Sequence, residues 1–96
     1  MRALLIAATL LVAAPAFADA PVSSAVLADA SKAPAARTII DGAAWRCEGA
    51  NCTANGGANQ PASRACRRVV ARFGAVTAFT YKGVELTAEQ VAVCNA

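Results

Sequence analysis

The chain contains no histidine. That removes the commonest general base, and with it the usual Ser-His and Cys-His nucleophile pairs. No later stretch approaches the roughly 20 apolar residues of a spanning helix, so the mature protein is expected to be soluble. A phosphate-cradling loop is absent too: Gly56-Gly57 has neither the lysine nor the strand-loop-helix spacing such a site needs. Acids are few beyond residue 36, namely Asp41, Glu48, Glu85 and Glu89. Paired acids support glycoside hydrolysis only within a cleft, and a domain of this size has little room for one. Asp41 is expected to serve turn geometry, Glu89 the positive end of a helix, and the other two to be solvated. No catalytic residue, cofactor or metal is therefore assigned, and an enzyme is not expected.

What is present begins with a leader. Arg2 precedes an apolar stretch, Leu4 to Ala14, interrupted only by Thr9. Pro15 breaks it ahead of Ala16-Phe17-Ala18, a small-x-small cleavage site. The order is that of a secretory signal peptide cut after Ala18, which implies a periplasmic or secreted protein. An uncleaved anchor would need about twice that apolar length, and no cysteine follows the cut to carry a lipid.

The large apolar side chains from residue 37 onward are Ile39, Ile40, Trp45, Val69, Val70, Phe73, Val76, Phe79, Tyr81, Val84, Leu86, Val91 and Val93. So thin a core rarely yields more than about 3–5 kcal/mol in a small domain, and staples are expected. Cys47, Cys52, Cys66 and Cys94 supply them. An even set in an exported chain favours disulfides. Zinc would draw on two short knuckles, and the second is missing. A redox site wants C-x-x-C at a helix start, which neither pair provides. Four cysteines permit three connectivities, and sequence alone does not choose among them. Local geometry favours Cys47–Cys52, whose loop Glu48–Asn51 suits a tight hairpin, leaving Cys66–Cys94.

Residues 19–36 are rich in Ala, Ser and Pro and read as a flexible leader, with transient helix near Ser24–Ala30. The folded domain is placed at 37–96. Thr38-Ile39-Ile40 reads as a strand, Asp41-Gly42 as a hairpin turn, Ala43–Cys47 as the returning strand and Asn51–Ala54 as a third. Asn55–Asn59 reads as loop. Pro61 opens a helix whose apolar face is Ala62, Ala65, Cys66, Val69, Val70 and Phe73, with Gly74 as its stop. Val76–Tyr81 alternates as a strand and returns through Lys82-Gly83 into Val84–Leu86. Thr87 with Gln90 makes a capping box, and Leu86 with Val91 a hydrophobic staple, for a helix from Ala88 to Cys94. The expected fold is α+β: a small antiparallel sheet packed on one helix, plus a short C-terminal helix, stapled by two disulfides.

Trp45-Arg46-Cys47-Glu48-Gly49 with Cys52, Arg64-Ala65-Cys66-Arg67-Arg68-Val69, Gly74-x-Val76-x-x-Phe79 and Cys94-Asn95 together resemble a small exported four-cysteine family of alphaproteobacteria, of the Caulobacter and sphingomonad type. The resemblance spans about residues 37–96. It implies no activity and carries over no catalytic residue.

Arg64, Arg67, Arg68 and Arg72 fall on the side of the helix opposite Cys66, Val69 and Phe73. Like charges four apart cost a few tenths of a kcal/mol each, and no acid on this helix offsets them. They form a candidate anion-binding face, suited to an anionic envelope component or an acidic protein surface. The bland alternative is that they keep an alanine-rich protein soluble, neutralised by glutamates from a neighbouring strand. Nucleic acid is not expected, since no aromatic platform accompanies them. Trp45 beside a disulfide reads as core packing rather than a binding anchor. Two roles follow: a non-enzymatic binding or envelope-associated protein, or a secreted inhibitor or effector whose disulfide-held loop 48–51 inserts into an enzyme.

Overall fold

The computed structural model describes residues 22–96; the expected signal peptide, residues 1–18, lies outside them. The α+β architecture is as expected. Among the described residues the strands are β1 (Val22–Leu27), β2 (Thr38–Ile40), β3 (Ala43–Glu48), β4 (Asn51–Gly56), β5 (Val76–Tyr81) and β6 (Val84–Glu85). The helices are α1 (Ala62–Phe73) and α2 (Ala88–Asn95), with a short 3-10 turn at Ala30–Lys32. The strands make one antiparallel sheet in the order β2-β3-β4-β1-β5-β6.

That order corrects the placing of residues 19–36 as a leader and of the domain's start at Arg37. β1 lies inside the sheet, bonded to β4 on one side and to β5 on the other. Its inward positions are Ser23, Ala25 and Leu27, while Val22 and Val26 face the other way. Ser23 is fully buried because its hydroxyl accepts the Lys82 N–H at 3.0 Å, at the β5–β6 turn. Without that partner a buried hydroxyl would cost more than it contributes. Ser24–Leu27 are strand rather than helix, and the 3-10 turn begins only at Ala30.

The local readings to the C-terminal side hold more closely. Asp41 and Gly42 both have positive φ, 49° and 84°, the pair of values a type I′ turn requires. Asp tolerates that region at modest cost and glycine at none. Ile40 and Ala43 face each other directly across it. β4 runs on to Gly56, two residues into the stretch read as loop, because Asn55 and Gly56 pair with Ala44 and Ala43. Pro61 caps α1, and the Gly74 N–H returns to the Val70 carbonyl at its end. At α2 both halves of the capping box are made: Thr87 Oγ1 accepts the Gln90 N–H at 3.2 Å, and the Thr87 N–H donates to Gln90 Oε1 at 2.8 Å.

Both helices lie on one face of the sheet. α1 buries Ala65, Cys66, Val69 and Phe73, and α2 buries Val91 and Cys94. Trp45 is 1% exposed and sits at the centre, edge-on to Phe73 at 6.5 Å and stacked with Phe79 at 6.1 Å. It is core, not a surface anchor. The expected core needs amendment at both ends. Leu27 and the alanines 25, 43, 54 and 65 belong to it, whereas Ile39, Val84 and Val93 are more than half exposed. Small residues on the inner face leave room for the rings between sheet and helices.

Both disulfides form as local geometry favours. Cys47 and Cys52 are directly opposed across β3 and β4, and Cys66 joins α1 to Cys94 of α2. All four sulfurs are paired in these two bonds. Among the described residues, no helix is long and apolar enough to cross a membrane.

Candidate functional site

α1 turns its basic residues to solvent. Arg64, Arg67, Arg68 and Arg72 are all exposed, opposite the buried Cys66, Val69 and Phe73. The helix carries no acid of its own. The structure nevertheless separates the four arginines into distinct environments.

Arg68 is engaged. Its Nε donates to Asp41 Oδ2 at 3.0 Å and its Nη2 to Asp41 Oδ1 at 3.1 Å, a two-pronged pairing across 27 residues of chain. Such forks fix orientation as well as charge. The Gln60 side chain also donates to Asp41 Oδ2, at 3.4 Å, and the Asp41 carbonyl accepts the Ala58 N–H at 2.9 Å. Asp41 therefore does more than shape a turn. It binds the β2–β3 hairpin to the loop before α1 and to the middle of α1. The hydrogen bonds from Arg68, then that from Gln60, hold its carboxyl below the ordinary value of 3.8 against an opposing effect of burial, with lesser help from the charges of Arg68 and Arg64. The middle of the row is thus neutralised, by an aspartate at the hairpin turn rather than by glutamates of a strand.

The loop that carries Gln60 is fixed from its other side. The Tyr81 hydroxyl donates to the Ala58 carbonyl at 2.6 Å, and Lys82 Nζ donates to the Gly57 carbonyl at 2.9 Å. Gly57 is required here, since a β-carbon would collide with the Tyr81 hydroxyl and press on Ala43. Tyr81 and Lys82 are thus supporting residues that the sequence pattern did not mark. A lysine next to a turn reads as solvated unless its tertiary acceptor is known.

On each side of the Asp41–Arg68 pair lies a recess. The larger, 460 Å³, is bounded by Asn59, Gln60, Pro61 and Arg64. The smaller, 210 Å³, is bounded by Ile39, Ile40, Ala71 and Arg72. Arg64 and Arg72 therefore stand at the two outer walls with Arg68 between them, while Arg67 lines neither. Among the described residues, no acid forms an ion pair with Arg64, Arg67 or Arg72. Glu48, Glu85 and Glu89 border neither recess. No three side chains of metal-binding type cluster among the described residues.

The loop proposed as an inserting element is shorter than its spacing suggests. β3 and β4 continue until Glu48 faces Asn51, so only Gly49 and Ala50 make the turn. The Ala50 carbonyl accepts the Leu27 N–H at 2.8 Å, which draws that turn against the end of β1.

A family model described as "Family of unknown function (DUF8200)" matches residues 7–96. The chain belongs to that family. The matched span takes in β1 together with the rest of the described fold. No curated protein and no solved structure matches the chain.

Proposed function

We propose that this DUF8200 member is an exported binding protein rather than an enzyme, and that the arginine face of α1 receives an anionic component of the cell envelope. Two paired disulfides and the Arg2-to-Ala18 leader support export, as does the resemblance to exported four-cysteine proteins of Caulobacter- and sphingomonad-type bacteria. The observation that carries the binding role is the arrangement of Arg64, Arg67 and Arg72. They are exposed and without acidic partners among the described residues, around one rigidly neutralised pair. A helix kept basic only for solubility has no need of recesses beside its charges. The inhibitor reading has less support, because the Gly49-Ala50 turn offers little to insert. The enzyme reading gains nothing from the two recesses beside α1, each of which is bordered by a single acid, Asp41.

The test is binding to vesicles containing anionic phospholipid and, separately, to an acidic polysaccharide. Arg64, Arg67 and Arg72 are changed together to glutamine, and Arg68 is spared because it ties the hairpin to α1. Wild type should bind at low salt and weaken severalfold at physiological ionic strength, where the Debye length is about 8 Å. The triple variant should not bind. Equal binding by that variant would assign the arginines to solubility and end this proposal.

A further inference from the structure

The sheet has a second face, which neither helix touches. Strand alternation puts Ala44 and Arg46 of β3 on it, since Ala43 and Trp45 point into the core. Arg46 faces Thr53 of β4, and Ala44 faces Asn55. Thr38 pairs with Trp45, so Arg37, one residue earlier, falls beside Arg46. Two like charges on adjacent strands repel. The acid nearest in register is Glu48, two positions along β3 on the same face, and it forms no ion pair with either arginine.

These residues enclose a recess of 210 Å³ lined by Arg37, Ala44, Arg46, Thr53 and Asn55. Its character differs from that of the α1 recesses. No acid borders it, and its lining residues carry two guanidinium forks, one hydroxyl, one carboxamide and one methyl group. The forks match a planar carboxylate. The hydroxyl and carboxamide each both donate and accept, as sugar hydroxyls do. The volume has room for one ring, not a chain. We infer that this open-face recess is a binding site for a carboxylate-bearing sugar ring, with Arg37 and Arg46 holding the carboxylate and Thr53 and Asn55 the ring hydroxyls. A bound carboxylate would also relieve the repulsion between the two arginines. The site is independent of the α1 proposal, because it lies on the opposite side of the sheet.

The test is a backbone-amide NMR titration of the disulfide-bonded protein with glucuronate, glucose and inorganic phosphate. Glucuronate should produce saturable shifts centred on Arg37, Ala44, Arg46, Thr53 and Asn55. Arg46→Gln and Arg37→Gln should each weaken it by about tenfold or more, the worth of a charge-assisted hydrogen bond. The Arg64, Arg67, Arg72 triple variant should bind it unchanged, which separates this site from the α1 face. Thr53→Val, which keeps both charges, should weaken glucuronate while leaving phosphate unaffected. Buried-tryptophan fluorescence from Trp45 confirms that each variant is folded. Glucose binding as tightly as glucuronate would overturn the carboxylate assignment. Phosphate binding as tightly would overturn the sugar. Absence of saturable shifts, or shifts that survive both arginine variants, would overturn the site itself.

Discussion

The two disulfides look alike on paper and act in different places. Cys47–Cys52 joins residues five apart that the β3–β4 ladder already holds face to face. Cys66–Cys94 joins residues 28 apart on two helices, with β5 and β6 inside the ring. Cys47 is half-buried near the end of a hairpin, whereas Cys66 and Cys94 are both buried under the helix pair. The first fastens a structure that local pairing would largely find. The second constrains a stretch of chain that is free to wander when unfolded. Chain-entropy arguments make the second bridge worth about 3.6 kcal/mol and the first about 2 kcal/mol.

The largest expected effect follows from that contrast. Changing Cys66 and Cys94 together to alanine should lower stability by about 3–4 kcal/mol, and changing Cys47 and Cys52 by about 2 kcal/mol. Urea unfolding of the two double variants measures both. Equal losses, or a greater loss from the hairpin pair, would break the comparison.

A smaller effect tests how α2 is attached beyond its sulfur. Asn95, next to Cys94, uses its side-chain amide as a strand would. Its Oδ1 accepts the Val76 N–H at 3.0 Å and its Nδ2 donates to the Val76 carbonyl at 2.7 Å. β6 does not reach Val76, so these backbone groups would otherwise stand open at the sheet edge. Asn95→Ala should cost about 1–2 kcal/mol and should raise hydrogen exchange at the Val76 amide. An unchanged exchange rate there would mean that the disulfide alone fastens α2.

The smallest effect concerns the non-covalent fastening on the other side of α1. The folded-state value of Asp41 is depressed, so its contribution is complete above the ordinary carboxylate value of 3.8 and is lost as pH falls through the lower folded value. Asp41→Asn keeps a residue suited to the turn while removing the charge and one of the two acceptor oxygens. The gap in urea midpoint between wild type and variant should stay constant at neutral and mildly acidic pH, then close in stronger acid. A gap independent of pH down to unfolding would show that Arg68 gains nothing from the carboxylate's charge.

The parts of the fold legible in advance were those specified by neighbours in sequence. Asp41-Gly42, Lys82-Gly83, Thr87 with Gln90, and the spacing of Cys66, Val69 and Phe73 each carry their own local chemistry. β1 was illegible because its pattern is inverted. Val22 and Val26 face outward, and the core receives Ser23, Ala25 and Leu27. Only the aromatic rings of Trp45 and Phe79, and the acceptor role of Ser23 toward Lys82, make those small residues suitable. The arginine row could be read from helical spacing. Its partner Asp41 could not, because a residue that satisfies a turn gives no sign that its carboxylate also reaches a helix 27 residues away. Arg37 and Arg46 become neighbours only through the register of a hairpin, and they were passed over for the same reason.

The pairing of the sulfurs also bears on how the chain would be oxidised if it is exported N-terminus first, as proposed above. The bonds run first to second and third to fourth along the chain, so neither ring encloses or crosses the other. An oxidase that joins cysteines in their order of arrival would make the Cys47–Cys52 bond before Cys66 is offered, and would then find Cys94 as the remaining partner. Interlocked frames need a mistaken bond to be opened and exchanged, a step that takes seconds to hours. This frame has no such requirement. Vectorial delivery would thus lead straight to the native connectivity, and the last bond to close would be the one that locks the two helices together over the sheet.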